Sequence, residues 1–369
     1  MFDRRLVQNF DWLLLALVLL IAGIGIVNLY SAGYNRTPGG VTPVYLKQVY
    51  WLLVGLWVMF LTLTIDYRHL ERLAYPLYIA SIILLLAVMV AGKTVSGSKR
   101  WLGAGFFTFQ PSELVKIAII LVLARHFHHF SPEKTLHSKD IVYPLVLILL
   151  PAALIVKQPD LGSAILVTLV GVSMILLVGV HWRTLLGGAI VLLGAIPAVW
   201  PFLKEYQKQR VRIFLDPEQD PLGAGYHIIQ SKIAVGSGQF WGKGFLQGTQ
   251  SQLHFLPEQH TDFVFSVFAE EWGFVGSALL VVLYLGLSLW GLFIARSCKE
   301  RFGQLLALGV TALLFWQVFI NLCMVTGLLP VVGIPLPLFS YGGSSLITTM
   351  LALGILLNLR MRRFLISGP

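Results

Sequence analysis

Apolar runs about as long as a bilayer is thick recur along this chain, and they restrict its fold more than any other feature. A bilayer core of about 30 Å takes roughly 20 apolar residues as helix. On that criterion spans fall at 12–30, 48–65, 74–92, 112–127, 141–156, 161–180, 184–203, 265–294, 304–325 and 339–358. The stretch 141–180 is divided because Lys157, Gln158, Pro159 and Asp160 interrupt it. One helix there would be about 60 Å long, twice the core thickness. Hydrocarbon offers the backbone no hydrogen-bond partner, so runs of this length and oiliness enter it as helices. The expected fold is therefore all-α: a polytopic membrane protein of about ten transmembrane helices. With 57% hydrophobic and 12% charged residues, the chain is far from a soluble domain, where about a quarter are charged. Residues 1–369 are read as one domain, and 204–262 as its single large extracytoplasmic loop.

The basic residues orient the bundle. One set of ends holds Arg4, Arg5, Arg68, Arg72, Arg125, Lys134, Lys139, Arg183, Arg296, Lys299, Arg301, Arg360, Arg362 and Arg363. The opposite short loops hold only Arg36, Lys47, Lys93, Lys99, Arg100 and Lys157. Cytoplasmic loops carry the excess of Lys and Arg, so both termini are expected in the cytoplasm and 204–262 outside, at the cytoplasmic (inner) membrane. The same bias, with anionic headgroups, accounts for the net charge of +10 without a nucleic-acid partner. The run after Arg4 and Arg5 is too long for a signal-peptide core and lacks a clear small-residue cleavage site, so it is read as a retained span. Cys298 and Cys323 sit in unlike settings and suggest neither a bridge nor a metal site. No P-loop, GxSxG elbow or HExxH occurs, which argues against ATP hydrolysis and zinc proteolysis.

Four groups of residues are candidates for chemistry. Glu258, His260 and Asp262 end the outward insertion, just where it enters an apolar run. A carboxylate there has a plain alternative role, capping a helix N-terminus; as a general base it would meet a lipid-linked headgroup at the membrane boundary. The second group is Lys99, Arg100 and Trp101, followed by Gln110, Pro111, Ser112, Glu113 and Lys116. Glu113 and Lys116 share a helix face and neutralise each other. Alternatively, Lys116 and Arg100 face a phosphate or diphosphate, with Ser112 as N-cap. Arg210 and Arg212 in the insertion are further cations for such a group. Third, Lys157–Asp160 reads as a Pro-Asp turn in which Asp160 caps the next helix, although it lies on the same membrane face as the first two groups. Fourth, 327–345 interleaves Pro330, Pro335, Pro337, Gly333, Gly342 and Gly343 with apolar residues. Irregular backbone at membrane depth must be buried in protein or line a cavity. Ser344 and Ser345 are its candidate polar contacts, with packing the plainer reading. Short stretch 228–235 suggests an amphipathic helix at the interface. Glu258, Asp262 or Asp160 could hold a divalent cation at the diphosphate.

These residues carry a family resemblance. DPEQDPLGAGYH from Asp216, QGTQSQLHFLPEQHTDF ending at Phe263, Glu270 and Glu271, and PLPLFSYGGSS from Pro335 to Ser345 resemble the SEDS family, as do QPSELVK at 110–116 and QPDLGSA at 158–164. The short tails are those of its elongation branch, with the division branch the alternative. The resemblance implies a peptidoglycan glycosyltransferase that joins lipid II disaccharides into β-1,4 glycan and releases undecaprenyl pyrophosphate. It places the family's essential aspartate on Asp262 as general base. It also implies a class B penicillin-binding protein, a single-span transpeptidase, as partner, together with other membrane proteins of the elongation complex. A competing class is a flippase for lipid II, since Pro and Gly breaks also suit alternating access; no inverted repeat is evident, and the candidate acid lies at one face. A non-catalytic scaffold is a third reading.

Overall fold

The computed structural model describes residues 8–34, 43–95, 98–104, 107–130, 135–199, 201, 205–220, 223–253, 255–256 and 258–363. Arg4, Arg5, Arg36, Lys134, Lys204, His254 and Pro257 lie outside the described residues. Each apolar run forms a long helix. They are α1 (Trp12–Gly33), α2 (Val44–Thr64), α3 (Tyr67–Ala91), α4 (Pro111–His128), α5 (Ser138–Lys157), α6 (Leu161–Val178), α7 (Trp182–Val199), α11 (Val264–Ser297), α12 (Arg301–Val325) and α13 (Gly343–Arg362). Among the described residues, eight are long and apolar enough to cross a membrane; α4 and α7 are not among these. Helix α4 carries Glu113, Lys116 and Arg125 within its 18 residues. The chain is a multi-pass membrane protein.

Local chemistry fixes the helix starts. Asp11 accepts a hydrogen bond from Leu14 N at the head of α1, Asp66 from Arg68 N at α3, and Asp160 from Ser163 N at α6. Helix α5 opens with a capping box of His137 and Asp140. Ser112 is not the N-cap of α4: Pro111 takes the first helical position, where its missing N–H costs nothing, and Gln110 precedes it. The Ser112 hydroxyl instead donates to Asp160 Oδ2 at 3.4 Å.

Helix α4 is buried along most of its length, against α3, α6 and α12. A helix with apolar residues on every side belongs inside a bundle, and α4 holds this place despite its charged pair. Helices α12 and α13 complete the centre, with α12 packed on α11, α4 and α6, and α13 on α2. The ends of these inner helices therefore converge.

Three segments depart from helical spans. β1 (Lys93–Val95), β2 (Ser98–Ala104) and β3 (Phe107–Phe109) form a small antiparallel meander where the sequence predicts a loop. The insertion holds α8 (Glu205–Leu215), a 3-10 turn at Pro217–Gln219, α9 (Ala224–Ser237) and the single turn α10 (Thr249–Gln252). Helix α9 covers the expected 228–235 and packs on α11. Between α12 and α13 the backbone is irregular, as the proline and glycine pattern implies, and its residues Val332, Ile334, Leu336, Leu338 and Phe339 are buried. Helix α13 consequently begins at Gly343, four residues later than expected, and ends at Arg362.

Candidate active site

A cavity of about 600 Å3 opens where the inner helices and the irregular segments meet. Strand β2 contributes Arg100 and Trp101; α4 contributes Glu113 and Lys116; the start of α6 contributes Asp160 and Ser163. The turn before α11 adds Glu258, Thr261 and Asp262, and the segment running into α13 adds Gly333, Tyr341, Ser344 and Ser345. Two cations and four carboxylates thus share one chamber.

Each is held by identifiable contacts. Lys116 Nζ donates to Glu113 Oε1 at 2.6 Å, with both side chains at most 5% exposed. Glu113 and Lys116 lie one helical turn apart on the same face. Asp160 Oδ1 caps α6 through Ser163 N at 3.1 Å, and its Oδ2 accepts Gln110 Nε2 at 3.0 Å. Arg100 Nη1 stands 3.8 Å from Asp160 Oδ1, and its other Nη donates to the Pro159 carbonyl. One wall is therefore a preformed network joining β2, α4 and α6.

Asp262 is placed by its backbone. Asn321 Nδ2, on α12, donates both to Asp262 O at 3.0 Å and to Ile334 O at 2.7 Å, joining the turn to the irregular segment. Asp262 Oδ2 faces Gly333, whose φ is +72°; a Cβ there would stand 3.3 Å from that oxygen. Phe263, not Asp262, is the N-cap of α11, and no side chain caps that end. The plain alternative for this carboxylate is therefore not how it is used. Burial, aided by repulsion from Glu258 and Asp160, raises its pKa from 3.8 to about 6 against the attraction of Arg100 and Arg210.

The structure brings Arg100, Glu113, Lys116, Asp160, Glu258, Asp262, Ser344 and Ser345 to this cavity. Arg210 does not line it; its Nη1 donates to Val331 O at 3.1 Å, tying α8 to the irregular segment, within electrostatic reach of Asp262. Arg212 is not brought to it either: it pairs with Glu205 at 2.9 Å, both exposed. His260 is buried and turned toward Gly33 of α1, while its carbonyl accepts Tyr341 N at 2.9 Å. Two residues before Asp262, in a tight turn, a side chain points elsewhere. Among the described residues no group of three or more His, Cys, Asp and Glu could hold a metal ion. Residues absent from the sequence candidates also line the cavity, among them Trp51, Thr261 and Leu166. Trp51 lies in α2 and packs on Gly343, leaving no space there for a Cβ; as one of several tryptophans in apolar runs it carried no separate signal.

The sequence model of the FtsW/RodA/SpoVE family, described as cell cycle proteins, matches residues 11–364. The peptidoglycan glycosyltransferase MrdB of Escherichia coli K12 is 50% identical over 323 residues, covering 87% of this chain and 86% of the relative. A solved chain from work on the coordination of polymerization and crosslinking by a peptidoglycan synthase complex superposes with a TM-score of 0.83 at 38% identity, covering 96% of this chain and 98% of that one. The rod shape determining protein RodA of Thermus thermophilus superposes with a TM-score of 0.71 at 33% identity and the same coverage.

Proposed function

The chain belongs to the FtsW/RodA/SpoVE family and is a peptidoglycan glycosyltransferase, and we propose that Asp262 is the general base of its transfer reaction. The substrate in this reading is lipid II. Asp262 takes the proton from the acceptor sugar's 4-hydroxyl as that oxygen attacks the anomeric carbon of the donor. Undecaprenyl pyrophosphate leaves from the opposite face, and one displacement converts an α-linked donor into a β-1,4 product. Such a step needs one base and no covalent nucleophile on the protein. Arg100 and Lys116 line the same cavity and would stabilise charge developing on the leaving diphosphate. Glu113 and Asp160 hold those cations in place through the contacts above. Ser344 and Ser345 are polar contacts for the same group.

The single observation that carries this reading is the placement of Asp262. An uncapping carboxylate with a pKa of about 6 shares a chamber with two cations. A general base works best with a pKa near the operating pH. The test uses the full chain in liposomes with its crosslinking partner and supplied lipid II, comparing wild type with Asp262→Asn, which keeps size and removes the base. Polymer from wild type and none from the folded variant supports the assignment. Equal polymer from both removes Asp262 from it. No polymer from either, with lipid II crossing the bilayer, favours the flippase.

We place the protein in the cytoplasmic membrane with both termini inside and 204–262 outside as part of one domain. Its proposed partner is a class B penicillin-binding protein; the neighbour solved within a peptidoglycan synthase complex supports a crosslinking companion. An elongation role is favoured over division by the likeness to MrdB and to the Thermus RodA. Depletion giving round cells fits that role, and filaments would indicate division.

A further inference from the structure

Helix α11 is two helices. At Gly273 the backbone takes φ 62° and ψ −158°, a region open almost only to glycine. The nine residues before it, 264–272, form a short separate helix that begins two residues after Asp262, and the long remainder runs from 274. A helix broken in this way does not pass orientation across the break. The position of 264–272 therefore depends also on contacts from outside α11.

The loop after α9 supplies several of them, beside Asn28 Nδ2 donating to Val264 O at 2.9 Å, the Ser231–Ser266 hydroxyl bond at 2.8 Å and Ser31 Oγ donating to Glu271 Oε1. Lys243 N donates to Glu270 O and Gly244 N to Glu271 O, both at 3.0 Å, just before the break. Phe274 N donates to Gln239 O at 2.9 Å and Val275 N to Phe240 O at 3.2 Å, just after it. Gly242 and Gly273 meet backbone to backbone, with no space for a Cβ on either. At the centre of this splint is the Glu270 side chain, 0% exposed. Its Oε1 accepts Lys243 Nζ at 2.7 Å, Thr249 Oγ1 at 3.1 Å and Gln250 N at 3.0 Å, and its Oε2 accepts Ser251 N at 3.4 Å. Four donors from one loop thus converge on a single carboxylate of the short helix. A buried charge is expensive unless paired and fully hydrogen-bonded. Glu270 meets that condition only while loop and helix keep this relative position.

We propose that Glu270, through Lys243, is a positioning residue that sets where Asp262 stands in the cavity. It touches no substrate; it holds the short helix whose first turn follows the base. The proposal rests on Asp262 being the general base.

The test measures polymer formation per folded molecule by the full chain with its partner and lipid II, for Lys243→Ala, Lys243→Arg, Thr249→Val and Asp262→Asn. Thermal midpoints and pH profiles are taken alongside. Misplacement of a catalytic group by about 1 Å can cost about 100-fold, so Lys243→Ala is expected to lower kcat by about 10- to 100-fold with KM unchanged. Its acid limb should also move, because the distances from Asp262 to Glu258, Asp160, Arg100 and Arg210 change. Lys243→Arg, which keeps the cation, should recover most of the loss. A role in stability alone would lower the midpoint and leave kcat per folded molecule and the acid limb at wild-type values; that result overturns the proposal. If Lys243→Ala does not fold, Thr249→Val, which removes one donor and leaves the ion pair, decides by the same criteria. An active Asp262→Asn would instead remove the base assignment beneath it.

Discussion

A carboxyl lifted to about 6 is mostly ionised at pH 7, so Asp262 is charged and basic where the protein works. The sign of its pH dependence follows. A base must be deprotonated, so turnover should fall as pH drops through about 6 and level off above it. Burial is the larger cause of the raised value and Glu258 the next. Glu258→Gln removes that repulsion, lowers the Asp262 pKa, and should move the acid limb of kcat/KM to lower pH. The measurement is the pH–rate profile of polymer formation; an unmoved or raised limb would show that Glu258 does not act on the base. At this scale the sequence was informative about chemical type and less so about direction. His260 stands two residues from Asp262 and points to α1, and Arg212 stands two from Arg210 and pairs with Glu205. Nearness along a chain does not place two side chains in one cavity.

Among the elements, α4 carries the charged pair of the bundle interior. Lys116 and Glu113 are bonded at 2.6 Å and almost fully buried. Removing one partner of such a pair leaves an uncompensated charge, a cost of about 3–5 kcal/mol. Lys116→Ala is therefore expected to abolish polymerisation and to lower the thermal midpoint while the protein still inserts. Adding Glu113→Ala should recover much of the lost midpoint, because no charge is then stranded, but not the activity. A double-mutant cycle on both readouts separates the two effects; restored polymerisation in the double variant would exclude Lys116 from diphosphate stabilisation. The spans at this scale were legible: 112–127 became Pro111–His128, and 141–180 divided at the expected turn. The β-meander was not, because its three-residue edges gain their hydrogen bonds from pairing across the loop and show little periodicity of their own. The break at Gly273 also lacks a signal, since a lone glycine is tolerated in many helices.

Taken whole, the bundle places every cavity carboxylate and cation near the same end, which in the proposed topology, resting on the charge bias, faces outside. With Cys298 and Cys323 replaced, single cysteines at Leu253 and Lys299 test this. A membrane-impermeant thiol reagent on intact cells should label Leu253→Cys and not Lys299→Cys, and the opposite pattern would invert the molecule. Both positions are exposed, so access across the membrane is what the experiment reads. Sequence alone specifies the oily helices, their approximate limits, the interrupted segment before α13 and most of the charged residue types that line the cavity. These follow from the bilayer's thickness and from its lack of hydrogen-bond partners, which act on each run separately. Which of those residues meet depends on how the helices pack. The tertiary structure joins α4, α6 and β2 through Asp160, turns Asp262 away from capping and toward Gly333, and clamps the short helix after it through Glu270. Those contacts link positions far apart in the chain, and their geometry depends on packing that local propensity does not encode.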